Sequence, residues 1–279
     1  FGTAMHSTKL SRPFVLVTAY LGCASGFAPA FTRAANRILR APAFEQPDVP
    51  ACARPRLFLR MLTAPVHLGQ NLGELFDTYL EPDASFFTAK GGVNPVLSGK
   101  SLPRKQVHAT GTWHRAVHIW LYNSKGQILL QKRSDEKDTF PSKWDVSVGG
   151  HLSAGDTVVE AALRETEEEL GLKIGEGDLA FVATVATTVA GSSAKQGAFT
   201  CNEYKDLFLA RYDGPAEALV YAPDEVAGVA WRDADEVEAA LRKQIGPAGE
   251  QLDGPLIARP AYYLDALFPA LRRAATAAR

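Results

Sequence analysis

The chain has 279 residues, 46% of them hydrophobic and 22% charged, which is material for one mid-sized globular core plus extensions. A formal net charge of −1 gives no global attraction to nucleic acid or anionic membranes, so any binding of phosphates has to come from local groups. Three widely spaced cysteines, Cys23, Cys52 and Cys201, fit neither a disulfide framework nor a zinc motif and read as isolated thiols.

The first 44 residues contain no Asp or Glu but carry Lys9, Arg12, Arg33, Arg37 and Arg40, the composition of a targeting presequence. Within it, the apolar run 13–24 follows Lys9 and Arg12 and precedes the small residues Ser25 and Gly26, which is the layout of a signal segment with its cleavage site. The run falls short of the roughly 20 apolar residues a spanning helix needs, so no membrane span is expected. Ala24-Ser25-Gly26-Phe27-Ala28-Pro29 resembles the cleavage motif of presequences that lead into complex plastids. Plastid import is therefore the expectation, with the secretory pathway and the mitochondrion as alternatives. Residues 45–71, rich in Pro and Ala, read as linker.

The folded part is expected to begin near residue 72, with a strand at 75–80 and then a loop up to His108. The runs 116–122 and 127–131 are rich in β-formers and are separated by Asn123-Ser124-Lys125-Gly126, which is hairpin chemistry. Residues 148–156 form a glycine-containing loop. Val159, Ala162, Leu163, Thr166 and Leu170 then recur at helical spacing over 157–170, with Asp156 or Thr157 near the start and Gly171 past the end. Strands at 179–189, 204–212 and 226–231, a helix at 234–243 and a C-terminal helix at 260–277 follow. Strands and helices mixed in this order indicate an α/β sandwich, with the folded domain at 72–245 and 246–279 as a helical extension packed on it.

On the helix at 157–170, Glu165, Glu168 and Glu169 lie three and four residues apart and share one arc. Like charges at that spacing repel by a few tenths of a kcal/mol per pair, which calls for a compensating partner. Clustered carboxylate oxygens suit Mg²⁺ or Mn²⁺. The glycines of the preceding loop let backbone approach a metal or phosphate closely. His114 and His118 are four apart, but on a strand that places them about 13 Å from each other, too far to share an ion.

Together, Gly150, Asp156, Arg164, Glu165, Thr166, Glu168, Glu169, Gly171 and Leu172 resemble the Nudix box, G-x5-E-x7-R-E-U-x-E-E-x-G-U. Asp156 stands for Glu and Thr166 for an aliphatic residue. The resemblance implies a Nudix-type α/β/α sandwich with a mixed β-sheet, and a Mg²⁺-dependent hydrolase that cleaves a phosphoanhydride with metal-activated water. It assigns Glu165, Glu168, Glu169 and the Gly150 carbonyl to the metal, Arg164 to orienting Glu165, and Glu168 to the general base. Glu203 is a candidate base or extra ligand outside the box, and Glu225 a weaker one.

Gln131-Lys132-Arg133-Ser134-Asp135-Glu136-Lys137, Thr139-Phe140-Pro141 and Trp144 further resemble type I isopentenyl-diphosphate isomerases and their hydrolase-like relatives. That resemblance assigns Arg133 and Lys137 to the substrate diphosphate, and Arg115 is a third candidate for phosphate contact. The isomerases need a cysteine where this chain has Gly149, so hydrolysis is favoured; an isomerase or a non-catalytic Nudix-fold binding module are the alternatives. His151 matches a metal-binding histidine of the isomerases and is either a ligand or a loop-stabilising residue. The expected partner is a small-molecule diphosphate, not a nucleic acid polymer.

Overall fold

The structure is a computed structural model that describes residues 71–83, 95–193 and 197–277. The presequence at 1–44 and the linker up to residue 70 lie outside the described residues. Leu75–Tyr79 (β1) and Leu97–Pro103 (β2) pair antiparallel as a small separate sheet, and Arg104–Thr110 (α1) follows. The main sheet contains His114–Tyr122 (β3), Gln127–Arg133 (β4), Trp144–Asp145 (β5), Val148–His151 (β6), Leu179–Ser193 (β7), Gly197–Arg211 (β8) and Val226–Asp233 (β9). Its helices are Val158–Leu170 (α2), Ala234–Lys243 (α3) and Ala261–Ala277 (α4).

The expected hairpin forms. Asn123 Oδ1 accepts from the Lys125 and Gln127 amides, and Gly126 takes the left-handed conformation that closes the turn. β3 and β4 then diverge: they pair only at Tyr122↔Ile128, after which β4 runs beside β9 and β3 takes β6 as its neighbour over Ala116–Ile119. On its other side β3 pairs in parallel with β8, and β8 pairs antiparallel with β7, so the sheet is mixed. β3 sits inside the sheet with both faces covered, which is why its sequence is a nearly continuous apolar run.

Val117, Ile119 and Leu121 pack with Phe208, Ala161, Ala162 and Leu170, under α2. Trp120, Leu207 and Leu209 pack with Val237, Leu241, Tyr263, Leu264, Phe268 and Leu271, under α3 and α4. This is the α/β/α sandwich. α4 is more than an outer extension, because its apolar face enters one of the two large core clusters and the Tyr263 hydroxyl meets both His118 Nδ1 at 2.8 Å and Trp120 Nε1 at 2.9 Å.

Two expectations are corrected. The stretch from 95 to His108 is a strand and a helix instead of a loop, and the glycine segment starts as strand β6. β2 is mostly exposed and lacks an alternating apolar pattern, while β6 is only four residues long and half glycine, so neither announces itself by periodicity. The strands expected at 179–189 and 204–212 are longer, forming a hairpin that projects past the sheet.

Candidate active site

α2 is capped as its sequence promises. Thr157 accepts from the Glu160 amide at 3.2 Å and Glu160 answers to the Thr157 amide at 2.9 Å, a capping box. At the other end Gly171, with φ of 62°, donates to the Glu167 carbonyl at 2.9 Å. Thr166 is tolerated at an aliphatic position because its hydroxyl bonds the Ala162 carbonyl at 2.7 Å, leaving its methyl to pack.

The helix brings Glu165, Glu168 and Glu169 against β6. Gly150 is the contact point: a Cβ added there would lie 1.9 Å from Glu165 Cδ, so no side chain fits between strand and carboxylate. Arg164 is the hub. It donates to Glu165 at 2.8 Å, Glu168 at 3.2 Å, Asp156 at 3.1 Å and the His151 carbonyl at 3.2 Å. Asp156 also accepts from the Ser153 amide at 3.1 Å, so the shorter carboxylate anchors the loop and Arg164. Glu169 is buried and accepts from Gln131 Nε2 at 3.0 Å and the Gly149 amide at 3.1 Å.

This arrangement leaves a deficit of positive charge. Burial, and secondly the neighbouring Glu169, push the Glu165 pKa up to about 8 against the pull of Arg164. Burial likewise raises Glu169 to about 7, although Lys137 and the Gly149 amide favour its ionised form. A hard divalent cation at the carboxylates would supply the missing charge, and the donor set of oxygens fits one.

The structure brings Lys137 and Arg133 to the same end of the sheet, where both act electrostatically on Glu169. Lys137 Nζ pairs with Glu225 at 2.9 Å, and Glu225 also presses on Glu169, so this weaker candidate is the one that borders the carboxylates. Arg133 is oriented by the Thr139 carbonyl at 2.9 and 3.1 Å and by Asp145 at 3.5 Å. Phe140 and Ser142 in the same loop adopt positive φ, and Asp138 is held by Ser193 at 2.7 Å from the tip of β7.

Two candidates fall elsewhere. Glu203 pairs across with His114, three residues from Val117, and strand alternation therefore sets it on the face of the sheet opposite α2. There it contacts Lys205 at 2.8 Å and His151 at 3.0 Å. Burial opposes its charge, but Lys205 and then His151 outweigh burial and hold its carboxyl well below the usual range, which disfavours it as a proton acceptor. Arg115 is committed to a buried ion pair with Asp206, with a second bond at 3.0 Å, and Thr184 adds a bond to the same carboxylate at 2.6 Å. Gly149 occupies the position of the missing thiol and uses its amide on Glu169. His114 and His118 diverge as expected, His118 to Tyr263. His114 instead joins His108, Cys201 and His151, of which only His151 was expected as a ligand or loop-stabilising residue.

The NUDIX domain family model matches residues 112–252, half of the chain and every residue of the carboxylate site. The chain belongs to the Nudix family. Nudix hydrolase 3 of Arabidopsis thaliana is 39% identical over 154 residues, 53% of this chain but only 19% of that protein. An uncharacterised Nudix hydrolase of Listeria monocytogenes is 32% identical over 146 residues, 52% of this chain and 79% of that one. Among solved structures, DR0079 of Deinococcus radiodurans aligns over 72% of this Nudix chain and 98% of its own, at 25% identity and a TM-score of 0.43.

Proposed function

We propose that this Nudix protein is a Mg²⁺- or Mn²⁺-dependent pyrophosphohydrolase acting on a diphosphate-linked small molecule. The observation that carries this reading is the carboxylate cluster of Glu165, Glu168 and Glu169 closed against Gly150, with Glu165 and Glu169 pushed up toward neutral pKa values chiefly by burial. Glu165, Glu168, Glu169 and the Gly150 carbonyl would hold the ion. When bound, a divalent cation supplies Lewis-acid charge stabilisation at phosphorus and makes water a nucleophile near neutral pH.

The remaining work falls to the chain. Arg164 fixes Glu165 and Glu168 relative to each other and to the β6 backbone. Glu168, 31% exposed where Glu165 is 13%, is the carboxylate open to solvent and takes the proton of the attacking water. Lys137 and Arg133 bind the non-bridging phosphate oxygens, the ammonium as a point charge released from Glu225 and the guanidinium as a planar fork held ready by Thr139 and Asp145. The basic, acid-free composition of residues 1–44 supports delivery to a plastid.

The test is release of phosphate or nucleotide products from prenyl diphosphates, nucleotide sugars, dinucleotides and nucleoside triphosphates, with and without Mg²⁺. Cation-dependent turnover of one class is expected. Isomerisation of a prenyl diphosphate, or tight binding of a diphosphate without turnover, would refute the reading.

A further inference from the structure

The turn between β6 and α2 has no apolar anchor of its own. It runs from Ser153 to Asp156, closes with the Asp156 amide on the Ser153 carbonyl at 3.0 Å, and has Gly155 at φ of 89°, the mark of a type II turn. None of its four residues is buried. Its conformation therefore rests on hydrogen bonds, and β1 supplies them from a part of the chain that precedes the NUDIX family match. The Ala154 amide donates to the Leu75 carbonyl at 2.7 Å, the Gly155 amide to Asp77 Oδ2 at 2.9 Å and the Ser153 hydroxyl to Glu74 Oε1 at 2.7 Å.

β1 is itself fixed from behind. Phe76 and Thr78 are buried, β2 pairs along the strand, and the Tyr79 amide donates to the Trp113 carbonyl at 2.8 Å. The two carboxylates are held as well: Ser101 Oγ donates to Asp77 Oδ1 at 2.6 Å, and Arg104 Nη1 lies 3.5 Å from Glu74. Hydrogen bonds to ionised acceptors are roughly twice as strong as neutral ones, which makes Glu74 and Asp77 the firm contacts. On the far side of the turn, Asp156 Oδ2 accepts from the Ser153 amide and from Arg164, at 3.1 Å each, and Arg164 continues to Glu165 and Glu168. A continuous path of bonds thus joins β1 to the carboxylates.

We propose that Glu74 and Asp77 are positioning residues of the hydrolytic site: β1 sets the turn at 153–156, and the turn sets Asp156 and Arg164 behind the carboxylates that hold the cation. This inference rests on the reading of Glu165, Glu168 and Glu169 as cation ligands. Without β1 the Ser153 hydroxyl and the Ala154 and Gly155 amides turn to water, the turn samples other conformations, and Arg164 loses its fixed partner on the loop. Groups that orient metal ligands contribute about 10–100-fold in affinity, and Asp77, further removed, falls at the low end, about tenfold.

The experiment titrates the full chain with Mn²⁺ and reads free Mn²⁺ by electron paramagnetic resonance, with a thermal melt to confirm folding. The component of binding that Glu165→Gln removes is the one followed. Asp77→Ala should weaken it about tenfold. Asp77→Asn, which keeps an acceptor for the Gly155 amide and can donate to Ser101, should restore the wild-type value. Because Asp77 acts through Asp156, the double variant Asp77→Ala/Asp156→Ala should bind no more weakly than Asp156→Ala alone. Affinity unmoved by Asp77→Ala, or losses that multiply in the double variant, would overturn the inference and leave the hydrolytic reading intact. Mn²⁺ binding indifferent to Glu165→Gln would instead sink the hydrolytic reading and this inference with it. Should Asp77→Ala fail to fold, Ser153→Ala, which removes the hydroxyl that reaches Glu74, is judged by the same weakening and the same non-additivity with Asp156→Ala.

Discussion

Gly150→Ala isolates the contact on which the carboxylate site is built. Gly150 does not have a positive φ, so alanine imposes no backbone strain and the methyl group alone is the perturbation. Its Cβ would stand 1.9 Å from Glu165 Cδ and 2.2 and 2.3 Å from the two oxygens, whereas ordinary contact begins near 3.4 Å. The Glu165 carboxylate must therefore retreat by about 1.5 Å, out of reach of the 2.8 Å bond from Arg164, or β6 must move away from α2. Displacement of a reacting group by about 1 Å costs on the order of 10²-fold in rate, or about 2.7 kcal/mol. Overpacking of this kind destabilises by roughly 1–3 kcal/mol, which leaves a domain folded. Steady-state kinetics against Mg²⁺ concentration, with a thermal melt as control, should show kcat down about 10²-fold and the metal midpoint shifted upward in a folded protein. Wild-type kcat and metal midpoint in Gly150→Ala would refute the assignment of Gly150 and Glu165 to the site.

Other consequences follow from the same geometry. Glu165 and Glu169 have folded pKa values raised from 4.5 to about 8 and about 7. Below about pH 4.5 both states are protonated and nothing is lost; above it the unfolded chain releases its protons first, so chelated protein should lose stability as pH rises from about 4.5 to about 8, and saturating Mg²⁺ should flatten that slope. Melting curves at several pH values with EDTA or Mg²⁺ check this, and a chelated protein of constant stability over the window would contradict the pKa assignment. Lys137→Met should lower kcat/KM by roughly 10–100-fold through the loss of one charge-assisted contact worth about 1.5–3 kcal/mol, measured by initial rates; an unchanged value would remove Lys137 from substrate binding. Tyr263→Phe removes the hydroxyl shared by His118 and Trp120 and should destabilise the fold by about 1–3 kcal/mol in urea titration; a neutral result would mean that α4 is not anchored by that network.

The parts of the fold legible in the sequence are those with local causes. α2 declares itself through its cap, its apolar spacing and Gly171, and α4 through its long amphipathic run. β2 and β6 do not, because one is exposed and the other is short and glycine-rich, and their pairing comes from partners far along the chain. The carboxylates and Arg164 were readable because one helix carries them all. Glu203 shows the converse: its position at a strand is readable, but which face it occupies depends on the register of β8 against β3. Of the cluster of His108, His114, His151 and Cys201 only His151 stood out in the sequence, through its resemblance to an isomerase histidine; the others come from three further elements that only the fold brings together.

The most direct test of the account is turnover in ¹⁸O-labelled water, with Mg²⁺ present or chelated, followed by mass spectrometry of the products from wild type and Glu168→Gln. The account predicts Mg²⁺-dependent cleavage with one solvent oxygen incorporated into a phosphate of one product, and loss of that signal in Glu168→Gln. Conversion of a diphosphate without incorporation of solvent oxygen, or cleavage that persists in Glu168→Gln or without a divalent cation, would contradict it.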